Sequence, residues 1–466
     1  MHEPCHSYLL PIGGTATAAL AGLLHEAGER VSGVDTALYP PMSELLAALG
    51  IPVRLGFDPA GIPADLDRVI IGNAVPRTNV EVLAVLERGL PYTSQAAAFG
   101  DRFCAGSRAI VVAGTHGKTT TTALLTHILT GAGLDPTALI GGVPKGGRPW
   151  RLGHGGWTVV EGDEYNTAFF DKGPKFLHYH PHAFLVGNVE FDHGDIYADL
   201  DAILAAFHAG VALVGEDGFV VANAGDPGAR SVATGHRRAV WYGIGGSADL
   251  RCDSWGVSDG CIHAEVCWSG ARFTLRVPLV GRHNLDNLLA TCTCSLLAGI
   301  APDAIAAAAA TFPGVRRRLD LVGEAAGIAV VDDFAHHPTA VRLTLDGARS
   351  RFPGRRLVVV FEPRSLTAGR ASFAHEYEEA LSRADVALVA PVFHRKRLGP
   401  DQVLDREALA AALERRGVIA AALAEDADPL PAVRARLLPG DVVVCMSSGD
   451  FGALPRRLVE ALQDTA

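Results

Sequence analysis

A lysine and a run of threonines follow a glycine turn in the stretch Gly114-Thr-His-Gly-Lys-Thr-Thr-Thr121. The apolar residues Ala109–Val112 precede the turn, and Thr122–Leu129 carries apolar residues at helical spacing. A strand, a glycine turn and a helix in this order place backbone N–H groups around a phosphate. Lys118 adds a positive charge, and Thr119 offers a hydroxyl to magnesium. The stretch therefore predicts a nucleotide-phosphate site, with an ordinary helix start as the alternative.

Two acidic stretches follow apolar runs further along the chain. Glu161-Gly-Asp-Glu164 comes after Trp157–Val160, and Asn188-Val-Glu-Phe-Asp-His-Gly-Asp195 comes after Ala183–Val186. In parallel sheets the carboxyl ends of neighbouring strands meet at one edge, and acids there hold the metal of a nucleotide. The alternative for the second stretch is an acid-rich surface turn. Its position on the strand pattern favours metal and substrate chemistry instead.

The first segment of the chain has the pattern of a second phosphate site. The strand Ser7–Ile12 leads into Gly13-Gly-Thr15 and a helix, and a second strand ends at Asp35. Amides at the helix N-terminus suit a diphosphate, and an acid about 20 residues on suits a ribose or a base. Asn73 follows a later strand, where a loop would cover the same ligand. The alternative is a Rossmann-like turn without a ligand.

Polar groups also mark the last part of the chain. Asn284 and Asn287 lie three positions apart, on one face of the helix predicted at Leu288–Ala298, although helix capping explains them equally well. Arg316-Arg-Arg318 precedes a strand that ends in Asp332-Asp-Phe-Ala-His-His-Pro338. A phosphate-reaching arginine is at least as consistent with this triplet as a solvated turn.

These motifs require elements that hold them at the edges of sheets. Strands alternate with helices in the first and last parts of the chain, so the fold class is predicted to be α/β with three domains. Rossmann-like domains at 1–107 and 313–466 flank a phosphate-loop domain at 108–312. Five segments are predicted to form an antiparallel, β-rich flank of the central domain: Phe219–Ala222, Ala239–Tyr242, Leu250–Val257, Ile262–Trp268 and Ala271–Val277.

Composition excludes several classes of protein. The chain has 466 residues, of which 48% are hydrophobic and 20% charged, so it is globular. Its net charge of −10 argues against a nucleic-acid partner. No apolar run of about 18 residues predicts a membrane span. Without a secretory signal, and with eight scattered cysteines that read as reduced thiols, a cytoplasmic location is expected.

Taken together, the motifs resemble those of the Mur ligases, ATP-dependent amide-forming enzymes of peptidoglycan metabolism. The resemblance covers essentially the whole chain and rests on the stretches that begin at Gly114, Glu161 and Asn188, on Gly281-Arg-His-Asn-Leu-Asp-Asn287, and on Asp332–Pro338. It implies an acyl phosphate made from ATP and a substrate carboxylate, which an amine then attacks. ATP and Mg²⁺ are the implied cofactors.

Within the family, the chain most resembles the branch that joins UDP-N-acetylmuramate to L-alanyl-γ-D-glutamyl-meso-diaminopimelate in peptidoglycan recycling. Four stretches carry this resemblance: Tyr39-Pro-Pro-Met-Ser43, Glu164-Tyr-Asn-Thr-Ala-Phe-Phe-Asp-Lys172, Asp333-Phe-Ala-His-His-Pro338 and Phe361-Glu-Pro-Arg-Ser365. The alternative is the biosynthetic branch that adds free L-alanine. The oligomeric state is left open.

The resemblance also implies roles for individual residues. Lys118, Glu161 and His193 would be catalytic, and Thr119, Glu161 and His193 would bind metal. The implied ATP-binding residues are Gly114, Thr115, His116, Gly117, Lys118, Thr119, Thr120, Asn284, Asn287, Arg318 and Asp333. The implied UDP-substrate residues are Gly13, Gly14, Thr15, Asp35 and Asn73, and the implied peptide-binding residues are His336 and Arg364.

Overall fold

The computed structural model describes residues 4–192, 194 and 196–464. Their strands form three large sheets and one two-stranded ribbon, which confirms the predicted α/β class and the three-part architecture. Within these residues, no helix is both long enough and apolar enough to cross a bilayer.

The N-terminal unit is a five-stranded parallel sheet with helices on both faces. Its elements are β1 (His6–Leu10), α1 (Thr15–Glu26), β2 (Arg30–Asp35), α2 (Met42–Ala48), β3 (Val53–Leu55), β4 (Arg68–Ile71), α3 (Val80–Glu87), β5 (Tyr92–Ser94) and α4 (Gln95–Phe99). The strand order is β3-β2-β1-β4-β5. The central strand β1 is wholly buried: Leu9 belongs to the core on the α1 side, and Leu10 to the core on the α3 side. The carboxyl ends of β1, β2 and β4 therefore share one edge.

The middle unit is built on one sheet of ten strands. Its elements are β6 (Arg108–Ala113), α5 (Lys118–Gly131), β7 (Thr137–Leu139), β8 (Trp150–Arg151), β9 (Trp157–Gly162), β10 (Asn166–Ala168), β11 (Asp171–Pro174), β12 (Pro181–Val186), α6 (Leu200–Ala212), β13 (Phe219–Asn223), α7 (Pro227–Ala233), β14 (Ala239–Ile244), β15 (Leu250–Ser258), β16 (Cys261–Trp268), β17 (Ala271–Val277), α8 (Arg282–Leu297) and α9 (Pro302–Ala309). The order is β17-β16-β15-β14-β13-β12-β6-β9-β7-β8, with β10 and β11 forming the separate ribbon. Strand β6 lies between β12 and β9, parallel to both, so the phosphate turn and both acidic stretches meet at one edge.

The prediction of five antiparallel flank strands is wrong for the first two. Strand β13 is parallel to β12 and to β14, and β14 is parallel to β15. Among these five strands only the pairs β15–β16 and β16–β17 are antiparallel. Helices α6 and α7 supply the crossovers that parallel neighbours need. Phe219–Ala222 is buried at every position, which is typical of a parallel strand covered on both faces.

The C-terminal unit is a second Rossmann-like sheet. Its elements are β18 (Asp320–Ala325), β19 (Ile328–Asp333), α10 (Pro338–Arg351), β20 (Leu357–Phe361), α11 (Ala374–Leu381), β21 (Val386–Val389), α12 (Arg406–Arg415), β22 (Ile419–Ala422), α13 (Pro429–Arg434), β23 (Val442–Met446) and α14 (Leu454–Gln463). The order is β18-β19-β23-β20-β21-β22, and only β18 is antiparallel to its neighbour. The domain limits at 107 and 312 stay predictions.

Candidate active site

The phosphate turn has a backbone that only glycine adopts readily. Gly114 has φ 136° and Gly117 has φ 83°, and Gly117 precedes the first residue of α5. A Cβ on Gly117 would collide with the side-chain amide of Asn287. The turn is fixed from the other side by Asn188, which accepts from the His116 amide at 2.8 Å and donates to the His116 carbonyl at 3.1 Å. Its conformation is therefore set by the two neighbouring elements.

Lys118 points back over this turn. Its Nζ donates to the Gly114 carbonyl at 2.7 Å and to the two carboxylate oxygens of Glu164 at 2.8 and 3.0 Å. Burial alone would lower the pKa of Lys118, but the carboxylates of Glu164 and Asp163 outweigh burial and raise it. The lysine is therefore a permanent positive charge at the start of α5.

Two of the predicted metal ligands lie together beside the turn. The Thr119 hydroxyl donates to Glu161 Oε1 at 3.1 Å, and the Gly141 amide donates to Oε2 at 2.8 Å. Loss of water raises the pKa of Glu161, against the lowering effect of Lys118 and Arg318. A carboxylate and a hydroxyl with little access to water fit the oxygen preference of Mg²⁺. The third predicted ligand, His193, lies outside the described residues.

Asn284 and Asn287 are inside helix α8, not before it, because α8 begins at Arg282; the predicted start at Leu288 is wrong. Asn287 donates to Asn284 Oδ1 at 3.1 Å, and Asn284 donates to the Val280 carbonyl at 2.8 Å. The N-cap of the helix is a glycine without a side-chain capping bond, so neither asparagine is the cap. Both residues are buried, and the Asn287 side chain lies against Gly117 of the phosphate turn.

Arginines of the C-terminal unit differ in what they contact. Arg318 donates to the Thr119 hydroxyl at 3.2 Å and lies over the Phe334 ring, so it reaches the phosphate turn of the middle unit. Arg317 stays within its own unit, where it pairs with Asp332 at 3.2 Å and donates to a carbonyl after β23. In the bonds described, Arg318 is therefore the one arginine of the triplet Arg316–Arg318 that reaches the start of α5, where the phosphate is predicted.

Asp333 holds the loop that carries this arginine. Its carboxylate accepts from the Leu319 amide at 2.6 Å, the Ala335 amide at 2.8 Å and the Thr344 hydroxyl at 3.2 Å. Burial raises the pKa of Asp333, and these bonds and Arg318 oppose the rise. In this arrangement Asp333 fixes the loops around the cavity as well as lining it.

A cavity of about 590 Å³ lies between the middle and C-terminal units. That volume is within the usual range for a small-molecule site. Most of the predicted ATP-site residues line it, together with one predicted peptide residue: Thr115, His116, Gly117, Lys118, Thr119, Thr120, Glu161, Asn284, Asn287, Arg318, Asp333 and His336. Residues far apart in sequence thus share one space.

Sequence reasoning assigned no role to a contact that joins the two units. His116 Nε2 lies 3.3 Å from Glu190 Oε2, which also accepts from the Thr339 hydroxyl at 2.8 Å. The His337 ring lies 5.0 Å from the His116 ring. Burial would raise the pKa of Glu190, but the bonds from His116 and Thr339 prevail and lower it to about 2. Each of the three segments is polar in the sequence, but their contact depends on the tertiary fold.

His337, which is only 5% exposed, contributes to the pH dependence of stability. Burial, aided by His116, lowers the pKa of His337 from its usual 6.5 to about 4. The unfolded chain therefore binds the extra proton between these values, and stability falls as the pH drops from 6.5 towards 4. We expect His337 to account for a loss of up to about 3 kcal/mol. Thermal unfolding at pH 7.5 and 4.5 should show a smaller acid shift in His337→Gln than in the wild type. Equal shifts would contradict this assignment.

The predicted UDP residues lie at the carboxyl edge of the first sheet. The Gly13 amide donates to Asp35 Oδ2 at 2.7 Å, so the acid is held against the start of α1. Helix α1 has Gly14 as its N-cap without a side-chain capping bond, which leaves amides of its first turn without a capping side chain. Asn73 follows β4 at the same edge and is exposed.

The two predicted peptide residues lie on the C-terminal side of the cavity. His336 Nδ1 is 3.1 Å from the Phe334 carbonyl. The Arg364 guanidinium lies over the Phe393 ring at 3.9 Å and against Gly449, where any side chain would collide with it. Arg364 itself is outside the lining, but its neighbour Ser365 lines the cavity.

Comparison with known proteins matches each part of the chain to one family. Residues 6–105 match the Mur ligase family catalytic domain, residues 158–295 the Mur ligase middle domain, and residues 317–449 the Mur ligase glutamate ligase domain.

Relatives of two specificities are equally similar in sequence. UDP-N-acetylmuramate–L-alanyl-γ-D-glutamyl-meso-2,6-diaminoheptandioate ligase of Escherichia coli K12 is 37% identical, over 98% of each chain. UDP-N-acetylmuramate–L-alanine ligase of Arthrobacter sp. FB24 is also 37% identical, over 98% of this chain and 94% of its own. The crystal structure of UDP-N-acetylmuramate-alanine ligase from Thermotoga maritima superposes with a TM-score of 0.81 at 25% identity, over the whole of both chains. The chain belongs to the Mur ligases, the ATP-dependent amide ligases of peptidoglycan metabolism.

Proposed function

We propose that this ligase joins UDP-N-acetylmuramate to the tripeptide L-alanyl-γ-D-glutamyl-meso-diaminopimelate. The lactyl carboxylate attacks the γ-phosphorus of ATP, so that an acyl phosphate forms and ADP leaves. The alanine amine of the tripeptide then attacks the acyl carbon, phosphate leaves, and the amine proton passes to a base. The reaction needs no protein nucleophile, so catalysis rests on positioning and on neutralising charge.

The ATP phosphates are proposed to lie on the turn Gly114–Thr120. The first amides of α5 face them, and Lys118 and Arg318 provide positive charge from the middle and the C-terminal unit. Thr119 and Glu161 would hold Mg²⁺, which when bound neutralises phosphate charge. Gly13, Gly14, Thr15, Asp35 and Asn73 are proposed to bind the uridine diphosphate at the edge of the first sheet.

The observation that carries the choice of an acidic peptide is a group of basic residues on the C-terminal unit, next to Ser365 of the cavity lining. Arg364 lies there, and Phe393, over which it stacks, opens the run Phe-His-Arg-Lys-Arg at 393–397. Arg395 pairs with Glu425 at 3.2 Å, whereas Lys396 and Arg397 have no carboxylate within 4 Å in the part of the chain described. Free L-alanine has one carboxylate, but the tripeptide has several. This group of cations favours the longer, more acidic substrate.

The function is tested by ADP release with UDP-N-acetylmuramate and a panel of amines. We expect the tripeptide to give a kcat/KM at least about tenfold above that with L-alanine, the equivalent of about 1.4 kcal/mol. UDP-N-acetylglucosamine, which has no lactyl carboxylate, is the control and should support no tripeptide-dependent ADP release.

The second candidate is the L-alanine ligase of biosynthesis, favoured by the Arthrobacter and Thermotoga relatives. A preference for L-alanine over the tripeptide would establish it and overturn the proposal.

A further inference from the structure

A second, smaller cavity lies between the N-terminal and middle units. Its volume is about 70 Å³, and its lining includes Ala16 of α1, Gln95 of α4 and Lys175. Glu161 and Asp163 line both this cavity and the larger one. The two cavities therefore share these carboxylates in their walls, and the small one extends from there to Ala16 in the first turn of α1.

Gln95 lines the small cavity and carries a side-chain amide with no hydrogen-bond partner in the described part of the chain. The side chain is 5% exposed, and its Nε2 is buried without a partner among residues 4–192, 194 and 196–464. Gln95 is the first residue of α4, and the preceding Ser94 caps the helix by accepting from the Ala97 amide at 3.0 Å. Capping therefore does not explain the buried amide. An unpaired buried donor is unfavourable unless a ligand completes it.

Lys175 brings a positive charge to the same space. Its side chain is 12% exposed, and Nζ donates to Asp163 Oδ2 at 2.5 Å. The Lys175 amide also donates to the Asp163 carbonyl at 3.1 Å, so both the backbone and the ammonium are fixed against this acid. An ammonium group has three donors, and the pairing with Asp163 is the one hydrogen bond described for it.

We propose that Gln95 and Lys175 hold the lactyl carboxylate of UDP-N-acetylmuramate at the junction of the two cavities. The inference rests on the proposed function and names residues that position its acid substrate. Both groups are donors, which suits a carboxylate. The volume admits a small group but not a sugar ring. A carboxylate in the small cavity would lie next to Glu161, which also lines the larger cavity. Ala16, which lines the small cavity, follows directly after Gly13–Thr15, the residues proposed to bind the diphosphate. The negative charges of Glu161 and Asp163 make a fixed cation necessary at this point.

The test compares two ligands that differ in the lactyl group. UDP-N-acetylmuramate and UDP-N-acetylglucosamine are titrated calorimetrically into the full chain without ATP. Gln95→Leu and Lys175→Met are expected to weaken UDP-N-acetylmuramate binding at least about tenfold each, because each removes a bond to a charged group. Binding of UDP-N-acetylglucosamine should change less than about twofold. The exposed Gln463→Leu and Lys172→Met are the matched controls and should leave both affinities unchanged.

Each outcome decides the inference. Equal weakening of both ligands, or no weakening of either, would overturn it. If Gln95→Leu does not fold, Gln95→Glu keeps the size and should repel the carboxylate selectively; unchanged selectivity in that variant would also overturn the inference. Failure of the proposed function is distinct, because it would appear in the ADP-release assay of the wild type, as no turnover or as a preference for L-alanine, and not in these binding titrations.

Discussion

Lys118→Ala is expected to reduce ADP release by at least about a hundredfold, because it removes the fixed positive charge beside the proposed γ-phosphate. The loss should appear in kcat/KM with every amine, since the lysine is proposed to act on ATP and not on the peptide. Steady-state ADP release with purified protein measures it. Near-normal turnover would overturn the phosphate-loop assignment.

The same substitution also removes the ammonium group that pairs with the buried Glu164. Glu164 is 2% exposed and lies 2.8 Å from Lys118 Nζ. Removing one partner of a buried pair typically costs about 3–5 kcal/mol, so a loss of fold could imitate a loss of catalysis. The double variant Lys118→Met/Glu164→Gln removes both charges. We expect it to recover most of the thermal stability and none of the activity. Recovery of activity with stability would show that the lysine is structural only.

Glu161→Gln is expected to have the second large effect. Activity should fall, whereas thermal stability should stay the same or rise. Loss of water raises the pKa of Glu161, so the ionised carboxylate is disfavoured by folding. At pH 7.5 the neutral amide should therefore leave the thermal midpoint unchanged or higher. ADP release should fall about a hundredfold, and the Mg²⁺ concentration for half-maximal rate should rise, because a proposed ligand charge is gone.

The matched control is the exposed Glu216→Gln, which lies on the same unit and should change neither quantity. Unaltered Mg²⁺ dependence in Glu161→Gln would remove this residue from the proposed metal site. A lower thermal midpoint together with normal turnover would assign it to the fold alone.

The sequence predicts a feature of this structure well when the residues that form it follow one another along the chain. The phosphate turn can be predicted because a strand, two glycines, a lysine and a helix follow one another along the chain. Glu161 is legible because strand ends share an edge in a parallel sheet. Two contacts cannot be predicted in this way, because they depend on the packing of separate segments: the pairing of Lys118 with Glu164 and the contact of Glu190 with Thr339.

The errors in strand assignment have a similar origin. The sequence pattern groups Phe219–Ala222 and Ala239–Tyr242 with true antiparallel strands because it does not include α6, which precedes the first of them, or α7, which lies between them. Strand β22 reads Ile-Ala-Ala-Ala and has little local strand preference; its parallel pairing with β21 makes it a strand.

The bond from Arg318 to Thr119 has a consequence for how much ATP is hydrolysed without forming product. Under the proposed roles, the cations around the phosphates come from two units, with Lys118 on one and Arg318 on the other. An ATP molecule held by the middle unit alone would meet an incomplete set of charges and an open solvent path. Phosphoryl transfer would then be restricted to the assembled state, in which the acid substrate and not water occupies the attacking position. Under these proposed roles, the placement of the lysine and the arginine on different units would limit hydrolysis of ATP that does not lead to product.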